Sequence, residues 1–419
     1  MERWKINLYT LWVTQVFSLM GFGFCIPFAP FLFQEMGVTG GAELSYYVGL
    51  SATLPAAAMA IAAPIWGVAS DRYGRKVMIM RAMFCAAILL ALMGMSKEIW
   101  QFMVLRAAQG IFTGTVTASM SFVSANTPEN RMSYALGLMT SSNFLGYSIG
   151  PFFGGILAEM LGYRICFVIG SLLMLTGFAL VVFLVKEDKN TYGFRISASR
   201  EQKGSLFKAF TPFVIVLLGA LLFQRIVRTV FVPFIPLYVQ ESLGTVTGAA
   251  TYTGVINGAT GLATAVAALT ITRLGDKTDK LRLASILTLL SLPVTLLLTM
   301  THSIPGFLAG YTVFYFLAGG AEPILTSAAS ERTPAAVRGT LFGMLATVSS
   351  LGAMVAPLIG SYISAEYGLR MILCVMPVFT VVQWICMATA PRDKDGKKGR
   401  KQKEYETDQR FFEDDRKFH

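Results

Sequence analysis

Between two long apolar stretches, the chain reads Gly67-Val-Ala-Ser-Asp71-Arg72-Tyr-Gly74-Arg75-Lys76. The flanking stretches, roughly 45–69 and 77–95, are each long enough to cross a bilayer as a helix. Gly74 supplies a tight turn between them, and Gly67 allows another helix to approach closely. Asp71 would lie at a helix C-terminus, where the helix dipole disfavours a negative charge, so it requires a facing helix N-terminus or an arginine. This segment therefore predicts two membrane spans joined by a charged connection that contacts another part of the protein.

The whole chain has the composition of a membrane protein. Of its 419 residues, 54% are hydrophobic and only 14% are charged, whereas about 25% of residues are charged in an average soluble protein. Because that supply of charge cannot cover a water-soluble surface, a soluble enzyme and a secreted domain are excluded. The net charge of +11 lies mostly in short stretches between apolar runs, which indicates membrane topology and not nucleic-acid binding.

Apolar stretches of about 20 residues predict twelve membrane-spanning helices. They are 8–33, 45–69, 77–95, 100–124, 132–158, 164–185, 209–238, 247–272, 283–300, 304–330, 339–364 and 370–390. Connections rich in Lys and Arg alternate with connections that contain few, so the positive-inside rule places both termini in the cytoplasm. The predicted fold class is therefore an all-α, multi-pass protein of the cell membrane.

An internal repeat divides the spans into two halves. Shifting the sequence by 206 residues aligns Pro27 with Pro233 and Gln34 with Gln240, among many other matches. Most matched residues are glycine or proline, so the repeated property is backbone geometry. For the charged tail we expect disorder, with contact to anionic lipid headgroups as the alternative. The predicted parts are an N-terminal half (1–186), a cytoplasmic linker (187–208), a C-terminal half (209–391) and the tail (392–419).

Two further motifs lie in the first half. Span five carries Gly146-x-x-x-Gly150-Pro151-x-x-Gly154-Gly155, a spacing of small residues that gives a smooth face for tight helix packing. Span four carries Arg106-Ala-Ala-Gln109-Gly110. An arginine inside a span is costly unless it faces the bundle interior or water, so Arg106 is expected at the central cavity or at a relay beside it. Pairing of Arg106 with backbone carbonyls, for structure alone, is the alternative.

These motifs resemble those of the major facilitator superfamily, whose signature GxxxDRxGRK is matched from Gly67 to Lys76. The pattern from Gly146 is similar to the family's antiporter signature, and the segment from Arg106 is similar to its RxxQG motif. The resemblance extends to twelve-span bacterial multidrug efflux antiporters and covers roughly residues 1–390. It implies two six-helix halves related by a parallel repeat, with the site between them near the bilayer midplane. It also implies a cytoplasmic gate that consists of Gly67, Asp71, Arg72, Gly74, Arg75 and Lys76.

Glu322 is an acidic residue well inside a span, where it is flanked by glycines and a proline. Acidic groups at such depth mark proton relays, and the resemblance implies the same role for an acid in span ten. We therefore predict that Glu322 and Arg106 take part in proton coupling. Fixed pairing of Glu322 with a buried arginine is the alternative.

Span seven contains Gln224-Arg225-x-x-Arg228, two cations one helical turn apart on one helix face. Together with Arg106, they give the membrane interior three positive side chains against one acid. Either Glu322 neutralises one arginine, or the cavity accepts compounds that carry an anionic group. The predicted substrate cavity comprises Arg225, Arg228, Gln224, Phe24 and Tyr315.

The sequence thus predicts a proton-coupled secondary active exporter of amphiphilic drugs or other small molecules. A porter of a defined anionic metabolite or lipid, and a membrane sensor without transport, are the alternatives. The chain has no GxxxxGK[ST] motif and no nucleophile-base set, and its five cysteines and two histidines show no ligand spacing. No enzyme activity, cofactor or metal is therefore expected. The expected partners are an amphiphilic small molecule, protons and the lipid bilayer, without nucleic acid, and the chain is expected to be a monomer.

Overall fold

The computed structural model describes residues 2–128, 131–187, 212–331, 333 and 338–389. Every regular element within these ranges is a helix. The predicted tail, and the predicted linker apart from Glu187, lie outside the described residues.

Twelve helical segments, named α1 to α12, follow one another along the described chain. They are α1 (Arg3–Cys25, then a 3-10 turn at Ile26–Phe28 and Ala29–Glu35), α2 (Gly41–Tyr73), α3 (Arg75–Met95), α4 (Ile99–Phe112 and Thr115–Asn126), α5 (Met132–Leu161), α6 (Tyr163–Leu184), α7 (Pro212–Thr229, then a 3-10 turn at Val232–Phe234 and Ile235–Leu243), α8 (Ala249–Lys277), α9 (Lys280–Met300), α10 (Ile304–Glu331), α11 (Arg338–Tyr367) and α12 (Met371–Thr389). In the described ranges, eleven of them are long and apolar enough to cross a membrane. The twelfth, α4, consists of two helices of 14 and 12 residues.

The interruption of α4 differs from the prediction of one continuous span. Gly114 has a φ of +112°, which residues with a side chain rarely adopt. Carbonyl groups left without helical partners at this break receive hydrogen bonds from side chains of α2 and α3. Trp66 Nε1 donates to the Ile111 carbonyl at 2.6 Å, and Arg81 Nη2 donates to the Thr113 carbonyl at 3.5 Å. The break is tolerated because neighbouring helices satisfy its backbone groups, as the bilayer interior requires.

The structure confirms the internal repeat. Pro27 and Pro233 lie in the 3-10 turns that interrupt the first helix of each half. Gly162 and Gly368, which the same shift aligns, have φ values of +88° and +90° and form the turn before the last helix of each half. Glycine and proline therefore repeat where the backbone repeats, because these two residues have the strongest local conformational preferences.

The two halves contact each other on one side of the membrane, which we call the far side. The opposite side, on which α1 begins and α12 ends, is the terminal side. On the far side, α2 packs against α11 and α5 packs against α8. A Cβ atom at Gly49 of α2 would lie only 2.4 Å from Ser361 of α11. At the terminal-side ends of the same helices, Cβ atoms at Gly67 and Gly343 would have no neighbour within 4 Å.

Polar contacts across the interface also lie toward the far side. The Ser45 and Ser364 hydroxyls are 2.8 Å apart. Gln34 and Gln240, which are aligned by the repeat, exchange two amide hydrogen bonds at 2.8 and 3.2 Å. The described part of the protein is therefore closed on the far side and open on the terminal side.

Candidate functional site

Arg228 of α7 and Glu322 of α10 form an ion pair in the C-terminal half. Arg228 Nη1 donates to the Glu322 carboxylate at 2.6 Å. Arg228 lies in the last turn of Pro212–Thr229, near the middle of the span Pro212–Leu243, and Glu322 lies inside α10. The Arg228 side chain is nevertheless 14% exposed and the Glu322 side chain is 36% exposed. The pair therefore borders an opening in the protein and not a closed core. The sequence left open whether Glu322 pairs with an arginine, and the structure shows that it pairs with Arg228.

Tyr315 of α10 packs against this ion pair. Its hydroxyl donates to the Arg228 backbone carbonyl at 2.6 Å, and its ring centroid lies 5.3 Å from the Arg228 guanidinium. The aromatic face and the carboxylate thus stabilise the same cation. The structure places Tyr315 beside Arg228, in agreement with its predicted place in the site.

Arg225 is half-buried and has no carboxylate partner among the described residues. Its Nε atom is buried without a hydrogen-bond partner in that part of the chain. Because Glu322 balances the charge of Arg228, Arg225 leaves the site with one uncompensated positive charge.

Two residues predicted to line the substrate cavity, Gln224 and Phe24, take part in helix–helix contacts. The Gln224 side chain is only 3% exposed and donates to the Ala318 carbonyl at 2.8 Å, which joins α7 to α10. Phe24 is 6% exposed and lies where Gly154 allows α1 to approach α5, since a Cβ atom at Gly154 would be 2.6 Å from the Phe24 Cα. In this conformation both side chains take part in helix contacts, and their place in a substrate cavity stays a prediction.

Arg106 does not line the central cavity either. It is 6% exposed, and its Nε donates to the Ser51 carbonyl at 2.8 Å while its Nη1 donates to Gln109 Oε1 at 2.5 Å. Pro55 follows Ser51 by four residues and has no N–H, so this carbonyl lacks its usual helical donor. Arg106 supplies the missing donor, and Gly110 lets α4 come close enough, since a Cβ atom there would be 2.3 Å from the Pro55 carbonyl oxygen. The structure matches the alternative, pairing with a backbone carbonyl.

Arg81 of α3 is a further cation inside a span, and the sequence-based inventory of buried charges missed it. Its guanidinium lies 3.4 Å from the centroid of the Trp66 ring, and it donates to a carbonyl at the break in α4. The available signal was a charged residue nearly two turns inside an apolar run. Like Arg106, it serves the local geometry of the N-terminal half.

The gate motif lies at the terminal side, where its described contacts are with the N-terminal half and with Glu187 of the linker. Gly74, with φ of +97°, forms the predicted turn between α2 and α3. The backbone N–H groups of Arg75 and Lys76 donate to the Glu187 carboxylate at 3.1 and 2.8 Å. A carboxylate is favourable at the N-terminus of α3 because of the helix dipole. The Arg75 and Lys76 side chains donate to backbone carbonyls of α4 and α6.

Within the described part of the chain, Gly67 and Arg72 show no contact with the C-terminal half in this conformation. Gly67 has open space where its Cβ would be, so the close helix approach predicted there is absent while the terminal side is open. Arg72 is exposed, with its guanidinium 5.5 Å from the ring of Tyr73. The side chain of Asp71 lies outside the described part of the chain.

The glycine motif of α5 forms the predicted smooth packing face. Cβ atoms at Gly146, Gly150 or Gly154 would lie 3.0 Å or less from atoms of α1, and Pro151 packs against α1 at Gly23. Gly155 points to the other half, where a Cβ atom would lie 2.4 Å from a backbone carbonyl of α8. One motif thus holds α5 against its own half and against the partner half at once.

Comparison with known families gives the same assignment. Residues 11–224 and 217–413 match the family described as "Major Facilitator Superfamily". The chain belongs to this superfamily. It is therefore a multi-pass membrane protein of a transporter family, and the two-half architecture above is the fold of that family.

Two curated relatives carry the same printed name. The chain is 30% identical to "Multidrug resistance protein MdtG" of Serratia proteamaculans (strain 568) over 405 residues, which cover 93% of this chain and 95% of the relative. It is 31% identical to the protein of that name in Citrobacter koseri, over 89% of this chain and 92% of the relative.

A solved structure supports the fold. A bacterial homologue of the human lysosomal transporter Spinster, in an inward-facing and occupied conformation, superimposes with a TM-score of 0.75 at 15% identity. The match covers 91% of this chain and 96% of that structure. At this identity, the likeness concerns the fold alone.

Proposed function

We propose that this protein is a proton-coupled exporter of amphiphilic drugs that works by alternating access. The observation that carries the proposal is the Arg228–Glu322 ion pair, which lies deep in the membrane region and faces an opening to one side. Ionisable groups at such depth are costly and are typical of proton and substrate pathways. The printed name of the curated relatives, a multidrug resistance protein, supports drugs as the substrate class.

The terminal side corresponds to the cytoplasm in this proposal, and the membrane is the cell membrane. The basic loops that include Arg72, Arg75 and Lys76 lie on this side, and basic loops face the cytoplasm. The described conformation is then inward-facing and can take up a drug from the cytoplasm or the inner leaflet. The protein carries out this uptake as a monomer. In the outward-facing state, the gate motif would contact the C-terminal half and the far-side contacts would open.

Proton coupling follows from the chemistry of the ion pair. While Glu322 is ionised, it holds Arg228 and keeps α7 and α10 joined. Once Glu322 takes a proton, the attraction to Arg228 is lost, and the balance between the two conformations changes by the energy of that interaction. A proton that enters from outside and leaves to the cytoplasm can thereby drive the opposite movement of a drug.

Transport into inside-out proteoliposomes under an imposed pH gradient tests the proposal. The Glu322→Gln variant should insert normally and lose gradient-driven transport, because an amide does not titrate. Glu322→Asp is the matched control and should retain part of the activity. Uphill transport by Glu322→Gln at the wild-type rate would contradict the proposal.

A second candidate is a porter of anionic metabolites or lipids, which the uncompensated charge of Arg225 favours. In competition assays, anionic or zwitterionic amphiphiles should then displace a transported dye better than permanent cations do. Arg225→Gln should reduce this difference. A strong wild-type preference for a quaternary ammonium compound would exclude the second candidate.

A further inference from the structure

A small polar cavity lies inside the C-terminal half, next to Arg228. Residues of helices α7, α9, α10 and α12 line it. Polar side chains from three of these helices reach this cavity although each is almost completely buried. They are Gln224 of α7, Thr288 and Ser291 of α9, and Thr380 and Gln383 of α12.

Two buried atoms of the residues that line this cavity, one acceptor and one donor, have no hydrogen-bond partner in the described part of the chain. Gln224 Nε2 donates to the Ala318 carbonyl, and this orientation leaves Gln224 Oε1 as a buried acceptor without a partner. Arg228 Nε is a buried donor without a partner in the described part of the chain. Leaving such buried groups without a partner is unfavourable, most of all for a charged group. Both residues line the cavity, and one water molecule that bridges a donor and an acceptor satisfies both.

The other polar groups of the cavity are already held in place. Gln383 Nε2 lies 3.3 Å from Thr288 Oγ1 and donates to it, which ties α12 to α9. The Ser291 hydroxyl donates to the Thr288 carbonyl. The uncharged polar side chains of α9 and α12 thus form one side of the cavity, on helices that do not carry the ion pair. We call this side the polar wall; it consists of Thr288, Ser291, Thr380 and Gln383.

We propose that Gln224, Thr288 and Gln383 are positioning residues for Arg228, acting through a water molecule bound in this cavity between Arg228 Nε and Gln224 Oε1. The inference rests on the proposed function, since it concerns what happens to Arg228 when Glu322 takes a proton. At that moment, Arg228 loses its counter-charge but stays out of bulk water. The polar wall and its water supply neutral acceptors for the cation, and so stabilise the state in which Glu322 is protonated.

The charged and titratable groups around Arg228 are few. Glu322 and Tyr315 face it from α10, Tyr311 contacts Tyr315 on the same helix, and Arg225 precedes it by one turn on α7. From α9 and α12, the groups that line the cavity are uncharged. A change in the polar wall therefore alters the titration of Glu322 without adding or removing a charge.

The experiment is an infrared titration of the Glu322 carboxyl in the purified full-length protein in liposomes. The Glu322 band is the one that disappears in Glu322→Gln. In Thr288→Val and in Gln383→Leu, the midpoint of this titration should fall by about half a pH unit or more, roughly the effect of losing one weak hydrogen bond. The pH dependence of transport should shift in the same direction.

Matched controls separate this effect from general disturbance. Thr295→Val changes the same residue type two buried positions further along α9, at a residue that does not line the cavity. Gln15→Leu changes a buried glutamine of the N-terminal half. Neither should move the midpoint. An unchanged midpoint in both Thr288→Val and Gln383→Leu, with folded protein in hand, would overturn the inference. Failure of the proposed function would be seen separately, as absence of gradient-driven transport by the wild type, while the titration would still test the cavity.

Discussion

The two halves of this protein repeat each other in backbone and differ in the charges that they place on it. Arg228 and Glu322, which form the ion pair of the C-terminal half, correspond by the repeat to Phe22 and Val116 in the N-terminal half. Conversely, Arg106 of the N-terminal half corresponds to Thr312. The duplicated helices thus carry a titratable pair in one half and a structural cation in the other.

The fourth helix of each half shows how one residue type can serve two purposes. Gly114 interrupts α4 with a positive φ. Its counterpart Gly320 lies within the continuous helix α10, where a Cβ atom would be 2.6 Å from Ile271 of α8. In α4, glycine is required by the backbone, whereas in α10 it is required by the close approach of a neighbouring helix. The repeat thus preserves the positions of small residues, and the neighbouring helices decide whether such a residue allows a break in the helix or a close helix contact.

The largest effect is expected from the matched pair Arg228→Leu and Phe22→Leu. Arg228→Leu removes the cation that pairs with Glu322, so the ion pair on which the proposed coupling depends is lost and the cycle stops. Gradient-driven transport in proteoliposomes should fall by at least about tenfold, since loss of a buried charge partner costs several kcal/mol. Phe22→Leu should keep most of the activity. Equal losses in the two variants would show that the halves do not differ in the way described here.

A smaller and different effect is expected from Arg106→Leu. It removes the donor to the Ser51 carbonyl, so a buried acceptor is left unsatisfied at a cost of about 1–3 kcal/mol. Thermal unfolding in detergent should occur at lower temperature, while transport per folded molecule and its pH dependence stay close to wild type.

The matched variant for Arg106→Leu is Thr312→Val. The Thr312 hydroxyl has no hydrogen-bond partner among the described residues, so its removal should leave stability unchanged or slightly higher. If Arg106→Leu instead lost proton coupling while the protein stayed folded, Arg106 would belong to the proton pathway, as the sequence had predicted.

The smallest effect is expected where the halves are alike, at the Gln34–Gln240 pair. Because the two amides bond to each other, Gln34→Ala, Gln240→Ala and the double variant should each weaken far-side closure equally, by roughly 0.5–1.5 kcal/mol. Distances between spin labels at Gly41→Cys and Tyr367→Cys, on the far-side ends of α2 and α11, report the change in population. Additive effects of the two single variants would contradict a reciprocal pair.

Much of the fold was predictable because it depends on local properties. Hydropathy predicted all twelve segments, and the glycine and proline pattern predicted the repeat, the turn at Gly74 and the packing face from Gly146 to Gly155. The break in α4 was not predicted, since Gly114 and Gly320 are both glycines in matching apolar runs and only their neighbours differ. For the site, the sequence left open whether Glu322 pairs with an arginine, and the place of Tyr315 in a substrate cavity stays a prediction.

The sequence by itself determined that the chain crosses the membrane repeatedly, that its halves share a backbone, and which ionisable groups lie within the spans. Only the tertiary structure decided what those groups do. It paired Glu322 with Arg228 and not with Arg225. It also made Arg106 the hydrogen-bond donor to the Ser51 carbonyl, for which Pro55 has no N–H. The physical reason is that hydropathy depends on composition along one helix, whereas the partner of a buried charge depends on the rotation and contacts of its neighbours.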